Sequence, residues 1–184
     1  VAAVAVFCGS STDLDPRWLD LAAHTGRELG RRGHSLVSGG GRVGMMGAVA
    51  QAARAAGAHT LGVIPQSLLD LEVADHAADE LVVTGDMAAR KTVMMRRADA
   101  FLVLPGGLGT LDELFEVWTT AVLGLHAKPV VLLDVDGFFT GLRAWLDGLA
   151  GARFAAPGAL ALLRAAGSVD QALALVEAGL PATA

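Results

Sequence analysis

The sequence predicts an α/β fold: a Rossmann-like, doubly wound parallel sheet flanked by helices, in a single domain spanning residues 1–184. Three observations carry this expectation. Short, almost wholly apolar runs alternate with longer helical stretches along the chain, an order that places right-handed crossovers on a parallel sheet. The short runs lack polar–apolar alternation, as expected of strands buried on both faces. Two glycine-rich segments each stand between such a run and a helix, where open α/β sheets place their ligands.

Taken in order, the candidate strands are Val1–Phe7, Ser35–Ser38, Thr60–Ile64, Leu81–Thr84, Ala100–Leu104 and Val130–Leu133. The candidate helices are Pro16–Arg31, Met45–Ala56, Met87–Ala98, Leu111–Gly124, Phe138–Ala150 and Gln171–Ala178. Pro16 suits a first helical position, where its missing N–H costs nothing. Ser168 and Gln171 have the spacing of a capping box opening the last helix. No repeat or low-complexity linker interrupts the pattern. The segment 151–157 is the one loosening, and the stretch beyond it is too short for a second domain.

Composition narrows the function classes. Hydrophobic residues make up 53%, much of it alanine, yet no run reaches the ~18 apolar residues of a spanning helix. The apolar surplus leaves room for a buried subunit interface. Val1–Phe7 runs straight into a strand-to-loop pattern and reads as structure, not as a signal peptide. A net charge of −5 argues against a nucleic-acid duplex or an anionic membrane surface as partner. A small phosphorylated ligand needs only a local positive site. One cysteine excludes an internal disulfide and a thiol-rich zinc site. His24, His34, His59, His76 and His126 show no metal-ligand spacing, so no metal is expected. The expected location is cytoplasmic.

The first glycine segment runs from Ser38 through Gly39, Gly40, Gly41 and Gly44 to Gly47. Such a turn lets backbone approach a ligand and presents helix N–H groups to an anion. It also satisfies the dinucleotide pattern G-x-G-x-x-G, but the next strand ends Gly62-Val63-Ile64-Pro65 with no acidic residue for ribose hydroxyls. A tight βα turn without a ligand is the bland alternative. The second segment, Leu104-Pro105-Gly106-Gly107-Leu108-Gly109-Thr110-Leu111-Asp112-Glu113, is the stronger signal. Neither segment has the lysine of a triphosphate-binding loop. Thr110 and Glu113 have capping-box spacing, which on spacing alone outweighs a catalytic reading.

Arg90 and Lys91 form the nearest cationic pair, suited to phosphate or carboxylate. A solvated helix face is the alternative for them and the preferred reading for Arg96 and Arg97. Trp18 and Trp145 read as packing residues. Cys8 reads as a small buried residue on the cleft floor, with no adjacent base to activate it.

Together, Ser38–Gly47, Met87-Ala-Ala-Arg90-Lys91 and Pro105-Gly-Gly-Leu-Gly-Thr-Leu-Asp-Glu113 resemble the Lonely Guy family of cytokinin riboside 5'-monophosphate phosphoribohydrolases. The similarity continues through Glu116-Val-Trp-Thr119, Leu123–Pro129 and Leu133–Phe138. It implies hydrolysis of the N-glycosidic bond of adenine-type nucleoside 5'-monophosphates to free base and ribose 5-phosphate. It implies no cofactor and a homodimer whose interface helps build the site. Arg90 and Glu113 match the family's catalytic pair. Lys91, Gly106, Gly107, Leu108, Gly109, Thr110, Thr119, Glu72 and the loop Gly39, Gly40, Gly41 match substrate-binding positions. Proteins of this kind are often labelled lysine decarboxylases, for which nothing in the sequence supplies pyridoxal-phosphate chemistry. Ala88 stands where family members commonly carry histidine, and Thr120 where they often carry tryptophan. A non-catalytic nucleotide or molybdenum-cofactor carrier, or a nucleotide-sensing module, is the competing expectation. A carrier would not need Arg90 paired with Glu113.

Overall fold

Apolar runs buried on both sides must pair with neighbours on each edge, and the computed structural model, which describes residues 1–71 and 73–181, shows them doing so. Among the described residues, seven strands form one all-parallel sheet in the order β4-β3-β2-β1-β5-β6-β7. They are β1 (Ala3–Phe7), β2 (Ser35–Ser38), β3 (Thr60–Pro65), β4 (Glu80–Thr84), β5 (Ala100–Val103), β6 (Val130–Leu133) and β7 (Leu163–Ala166). The helices are α1 (Pro16–Arg31), α2 (Gly44–Ala55), α3 (Gln66–Leu69), α4 (Met87–Arg97), α5 (Leu108–Val122), α6 (Thr140–Gly151), α7 (Pro157–Ala161) and α8 (Val169–Gly179).

The pleat of β1 divides the core. Val4 and Val6 face one layer, with Leu36, Leu102 and Val131, under Leu29 of α1, Val49 of α2 and Leu173 of α8. Ala5 and Phe7 face the other, with Val37, Val63, Phe101 and Leu132, under Met94 of α4, Leu114 and Val117 of α5 and Leu146 of α6. Full burial of each large apolar side chain stabilises the fold by about 1.5–3 kcal/mol before chain entropy is counted. The doubly wound expectation holds in both its layers.

Four expectations are corrected. β7 was not foreseen: Leu163-Arg-Ala-Ala is a half-buried edge strand with no β-branched residue. The helix expected at Leu111–Gly124 starts three residues earlier, with Gly107 as its N-cap. The helix expected from Phe138 starts at Thr140, after a short 3-10 turn over Val135–Gly137. Trp145, read as packing, is 59% exposed. Of the capping box expected at α8, one half forms: Ser168 Oγ accepts from the Gln171 N–H, while Gln171 Oε1 reaches past the N-cap and accepts from the Gly167 N–H at 2.9 Å.

Candidate active site

Strand order reverses between β1 and β5, so the loops leaving their carboxyl ends diverge and open a crevice. The two loops are tied at their base. Leu104 donates to the Phe7 carbonyl, Gly9 to the Pro105 carbonyl at 3.1 Å, and Met45 of α2 to the Gly9 carbonyl at 3.0 Å. Above them lies a cavity of about 520 Å³, bounded by 8–11, 105–110 and side chains from α1, α2, α4 and α5.

Two charged side chains meet in its wall. Arg90, on α4, is 6% exposed. Its Nε donates to the Val63 carbonyl at 3.1 Å, and Nη2 lies 3.7 Å from Glu113 Oε1 on α5. Met87 Sδ flanks the guanidinium on its own helix. Gly39 gives the guanidinium its seat: a Cβ there would overlap Arg90 Nη2 and stand 2.8 Å from Cζ. The glycine is needed for this close approach, and its φ is not in the left-handed region. Burial pushes the Glu113 carboxyl up to about 7; Arg90 pulls it down, as Lys91 does more weakly, while Asp112 and Glu116 push it further up. Desolvation outweighs the neighbouring cation because the two groups sit beyond hydrogen-bond distance. A carboxyl so placed exchanges its proton around neutral pH.

The wall opposite is the start of α5. Gly107 caps it without a side-chain bond, so the first N–H groups of a 15-residue helix have no intrahelical acceptor and carry its positive dipole end. Gly106, Gly107, Leu108, Gly109 and Thr110 all border the cavity. Thr110 sits inside the helix, buried against Gly106, where a Cβ would overlap its Oγ1. The capping-box reading of Thr110 and Glu113 is therefore overturned: both lie past the cap. An oxyanion such as phosphate is the ligand this wall fits.

The remaining expected positions scatter. Gly39, Gly40 and Gly41 are buried and do not border the cavity, and of the three only Gly39 lies against Arg90; Gly40 has φ 73° against Val63 and Ile64, and Gly41 N–H lies 3.1 Å from Met46 Sδ. Lys91 is turned to Asp112 and Glu116. Thr119 is exposed on α5, away from the cavity. Glu72 lies outside the described residues. Cys8 borders the cavity, but burial and the Glu113 charge push its thiol far up, which removes it as a nucleophile. Arg97 pairs with Glu80 on an exposed face and Arg96 is exposed, as expected for a solvated helix face. Among the described residues no three His, Cys, Asp or Glu side chains converge as metal ligands.

Sequence reasoning missed much of the wall: Ser10, Ser11, Leu14, Met45, Met46, Met87 and Phe138 also border the cavity. Trp18, read as packing, both packs and borders it. Its ring meets Phe138 edge-on at 5.4 Å and carries the Arg17 guanidinium at 4.3 Å. Asp134 places the Phe138 turn by accepting from the Phe139 N–H at 2.8 Å. The usable signal was topological, since the loop after the first strand of a doubly wound sheet borders the switch point.

Comparison with known proteins adds independent findings. Residues 46–176 match a family described as possible lysine decarboxylase. A Mycobacterium tuberculosis protein named cytokinin riboside 5'-monophosphate phosphoribohydrolase is 52% identical over 92% of this chain and 90% of its own. An Arabidopsis thaliana protein with the same enzyme name is 49% identical over 78% of this chain and 66% of its own. Among solved structures, the Chlamydomonas reinhardtii molybdenum cofactor carrier protein superposes with a TM-score of 0.72 at 25% identity, covering 96% of each chain. A molybdenum cofactor binding protein from Rippkaea orientalis gives 0.70 at 26% identity, covering 96% of this chain and 95% of its own.

Proposed function

The chain belongs to the family described as possible lysine decarboxylase, together with the cytokinin riboside 5'-monophosphate phosphoribohydrolases it resembles at up to 52% identity, and from that membership we propose that it is a nucleoside 5'-monophosphate phosphoribohydrolase. It cleaves the N-glycosidic bond of adenine riboside 5'-monophosphates, N6-modified ones included, to free base and ribose 5-phosphate. The observation that carries this reading is the buried Arg90–Glu113 pair in the wall of the switch-point cavity.

The chemistry follows from the geometry. The start of α5 and Gly106–Thr110 hold the 5'-phosphate, so its binding energy positions the bond to be cut. Arg90 bonds phosphate or ribose oxygens with guanidinium N–H groups not used on Val63. As the glycosidic bond breaks, positive charge grows on ribose C1', and the Glu113 carboxylate stabilises it. Water adds its hydroxyl to C1', and its proton passes through Glu113 to the departing base nitrogen. Lysine decarboxylation does not fit the residues present. The chain has two lysines, and neither borders the cavity to form an imine with pyridoxal phosphate. Lys91 is held by carboxylates and Lys128 by the Met95 and Ala98 carbonyls.

Residues 1–184 act as one unit in this reading. A homodimer is supported by exposed Val122, Leu123 and Leu125 around the end of α5. Thr119, on that exposed stretch, is proposed as a nucleotide contact completed across that interface, and Glu72 is proposed as a further nucleotide contact from its match to the family's motif. A cytoplasmic location accords with the nucleotide substrate. Among the described residues no helix is long and apolar enough to cross a membrane.

The test is incubation of the protein with AMP and with isopentenyladenosine 5'-monophosphate, assaying free base and ribose 5-phosphate. Release from either, abolished by Glu113→Ala, is the expected result, and the ratio of rates gives base preference. The likeness to cofactor carriers favours a second reading, binding without chemistry. Measurable nucleotide binding with no release would establish it instead.

A further inference from the structure

The segment His126-Ala-Lys128-Pro129 lies within the stretch that carries the family resemblance, yet neither His126 nor Lys128 borders the cavity. Both are half-buried, and their side chains reach the two helices that carry Arg90 and Glu113. Gly124, at φ 72°, and a bond from the Leu125 N–H to the Thr120 carbonyl turn the chain back at the end of α5. His126 Nε2 then faces the Val117 carbonyl of α5 at 2.8 Å, and Nδ1 faces the Lys128 N–H at 3.1 Å. A carbonyl needs a donor and an N–H an acceptor, so the ring carries its proton on Nε2. Lys128 Nζ donates to the Met95 carbonyl at 2.7 Å and to the Ala98 carbonyl at 2.6 Å. These acceptors stand at the end of α4, where the Asp99 N–H leaves the helix for the Ala3 carbonyl at 2.7 Å. A cation there also meets the negative end of the helix dipole. Between the two prongs lies the fully buried Phe101 of β5, its ring 5.4 Å from that of His126 and 6.0 Å from Lys128 Nζ. Its N–H donates to the Pro129 carbonyl at 2.9 Å, which ties the segment to the sheet.

We propose that His126 and Lys128 are positioning residues, a two-pronged brace seated on β5 and β6 that sets α4 against α5 and so holds Arg90 at its distance from Glu113. The proposal rests on the hydrolase reading for its catalytic consequence, and on the geometry alone for its electrostatic one. At 1.5 Å of rise per residue, Met95 lies about 7.5 Å along α4 from Arg90, and Val117 about 6 Å along α5 from Glu113. Apolar contacts of Met94, Leu114 and Val117 press the helices onto the sheet, and the brace adds bonds aimed at particular carbonyls. Without the Lys128 bonds the end of α4 loosens, and the mean separation of Arg90 and Glu113 grows from 3.7 Å. Arg90 and Lys91 from α4 favour the Glu113 carboxylate, Asp112 and Glu116 from its own helix oppose it, and the Cys8 thiol approaches from the end of β1. Drawing the two α4 cations away therefore makes Glu113 hold its proton to higher pH.

The experiment is a carbon-13 NMR titration of the Glu113 carboxyl in the nucleotide-free protein, its signal assigned by loss in Glu113→Gln. Wild type is compared with Lys128→Met, which keeps the stem and loses the ammonium, and with Lys128→Arg, which restores the donors. A third variant, His126→Phe, keeps a ring and loses both bonds. In parallel, kcat and KM are measured with isopentenyladenosine 5'-monophosphate. The brace predicts a midpoint raised by about 0.3 pH units or more in Lys128→Met and in His126→Phe, and restored in Lys128→Arg. It predicts kcat lowered at least ~5-fold in Lys128→Met with KM changed less than ~2-fold. Wild-type midpoints in both disrupted variants, even where urea unfolding shows lost stability, would overturn it, because the two residues would then only stabilise the fold. So would a wild-type kcat in Lys128→Met. If wild type releases no base, the hydrolase reading fails and the midpoints alone decide the brace. If Lys128→Met does not fold, the raised midpoint in His126→Phe is the required result.

Discussion

Gly39→Ala separates two accounts of the first glycine segment. If the segment serves an anion directly, a single methyl group weakens nucleotide binding and raises KM. The structure assigns Gly39 a different task, as the surface on which the Arg90 guanidinium rests. A Cβ at Gly39 would stand 2.8 Å from Arg90 Cζ and 3.2 Å from Met46 Cε. Nη2 stands closer to that Cβ than Cζ does, so to regain ordinary contact the guanidinium must withdraw by more than about 1 Å, and Met46 must give as well. That motion breaks the 3.1 Å bond to the Val63 carbonyl and changes the 3.7 Å approach to Glu113. Forcing one carbon into this packed site costs about 1–3 kcal/mol of stability. A misplacement near 1 Å in a reacting constellation lowers kcat on the order of 10²-fold. The assay is steady-state release of base from isopentenyladenosine 5'-monophosphate, with urea unfolding followed in parallel. The expected result is a large fall in kcat with KM little changed. Wild-type kcat, or a rise in KM alone, would refute the assignment of Gly39 to Arg90.

Two further outcomes test the site and the frame. Glu113 holds its proton up to about 7 in the folded chain, against 4.5 for the free side chain. As pH rises from about 4.5 to 7, the unfolded chain ionises first and folding loses up to ~3 kcal/mol, a loss that stays constant above pH 7. Denaturant unfolding should show wild type losing stability relative to Glu113→Gln across that window, and a flat difference would contradict the burial of the carboxyl. Ser168→Ala removes the cap of α8 while Gln171 keeps its own bond to Gly167. It should lower stability by about 1 kcal/mol in urea unfolding and leave turnover at the wild-type rate.

How much of this was legible in the sequence depended on whether the cause was local. Six strands announced themselves as apolar runs, since a strand buried on both faces must read that way. β7 did not, because an edge strand can be built of leucine, arginine and alanine. The start of α5 was misplaced because Thr110 and Glu113 mimic a capping box, whereas the cap is Gly107 and Thr110 packs against Gly106. Arg90 and Glu113 were singled out by motif resemblance, yet their approach is a tertiary fact that spacing along one chain does not contain. The tie between Gly39 and Arg90 is of the same kind, linking residues from two crossovers. Ser10, Trp18 and Phe138 come to the cavity through strand order, which no window of sequence encodes.

The Arg90–Glu113 pair and the aromatic corner of the cavity come from separate parts of the chain. Arg90 and Glu113 are fixed by α4, α5 and the Val63 carbonyl, while Trp18 and Phe138 belong to α1 and the turn after β6. Substitutions in the corner can therefore reshape what the cavity admits without moving Arg90 or Glu113. A laboratory selection for new nucleotide preferences should accumulate its changes at Leu14, Trp18 and Phe138, each nearly independent of the chemistry in its effect. Changes at Met46 or Met87, which touch the seat of Arg90, should be tolerated only in combination.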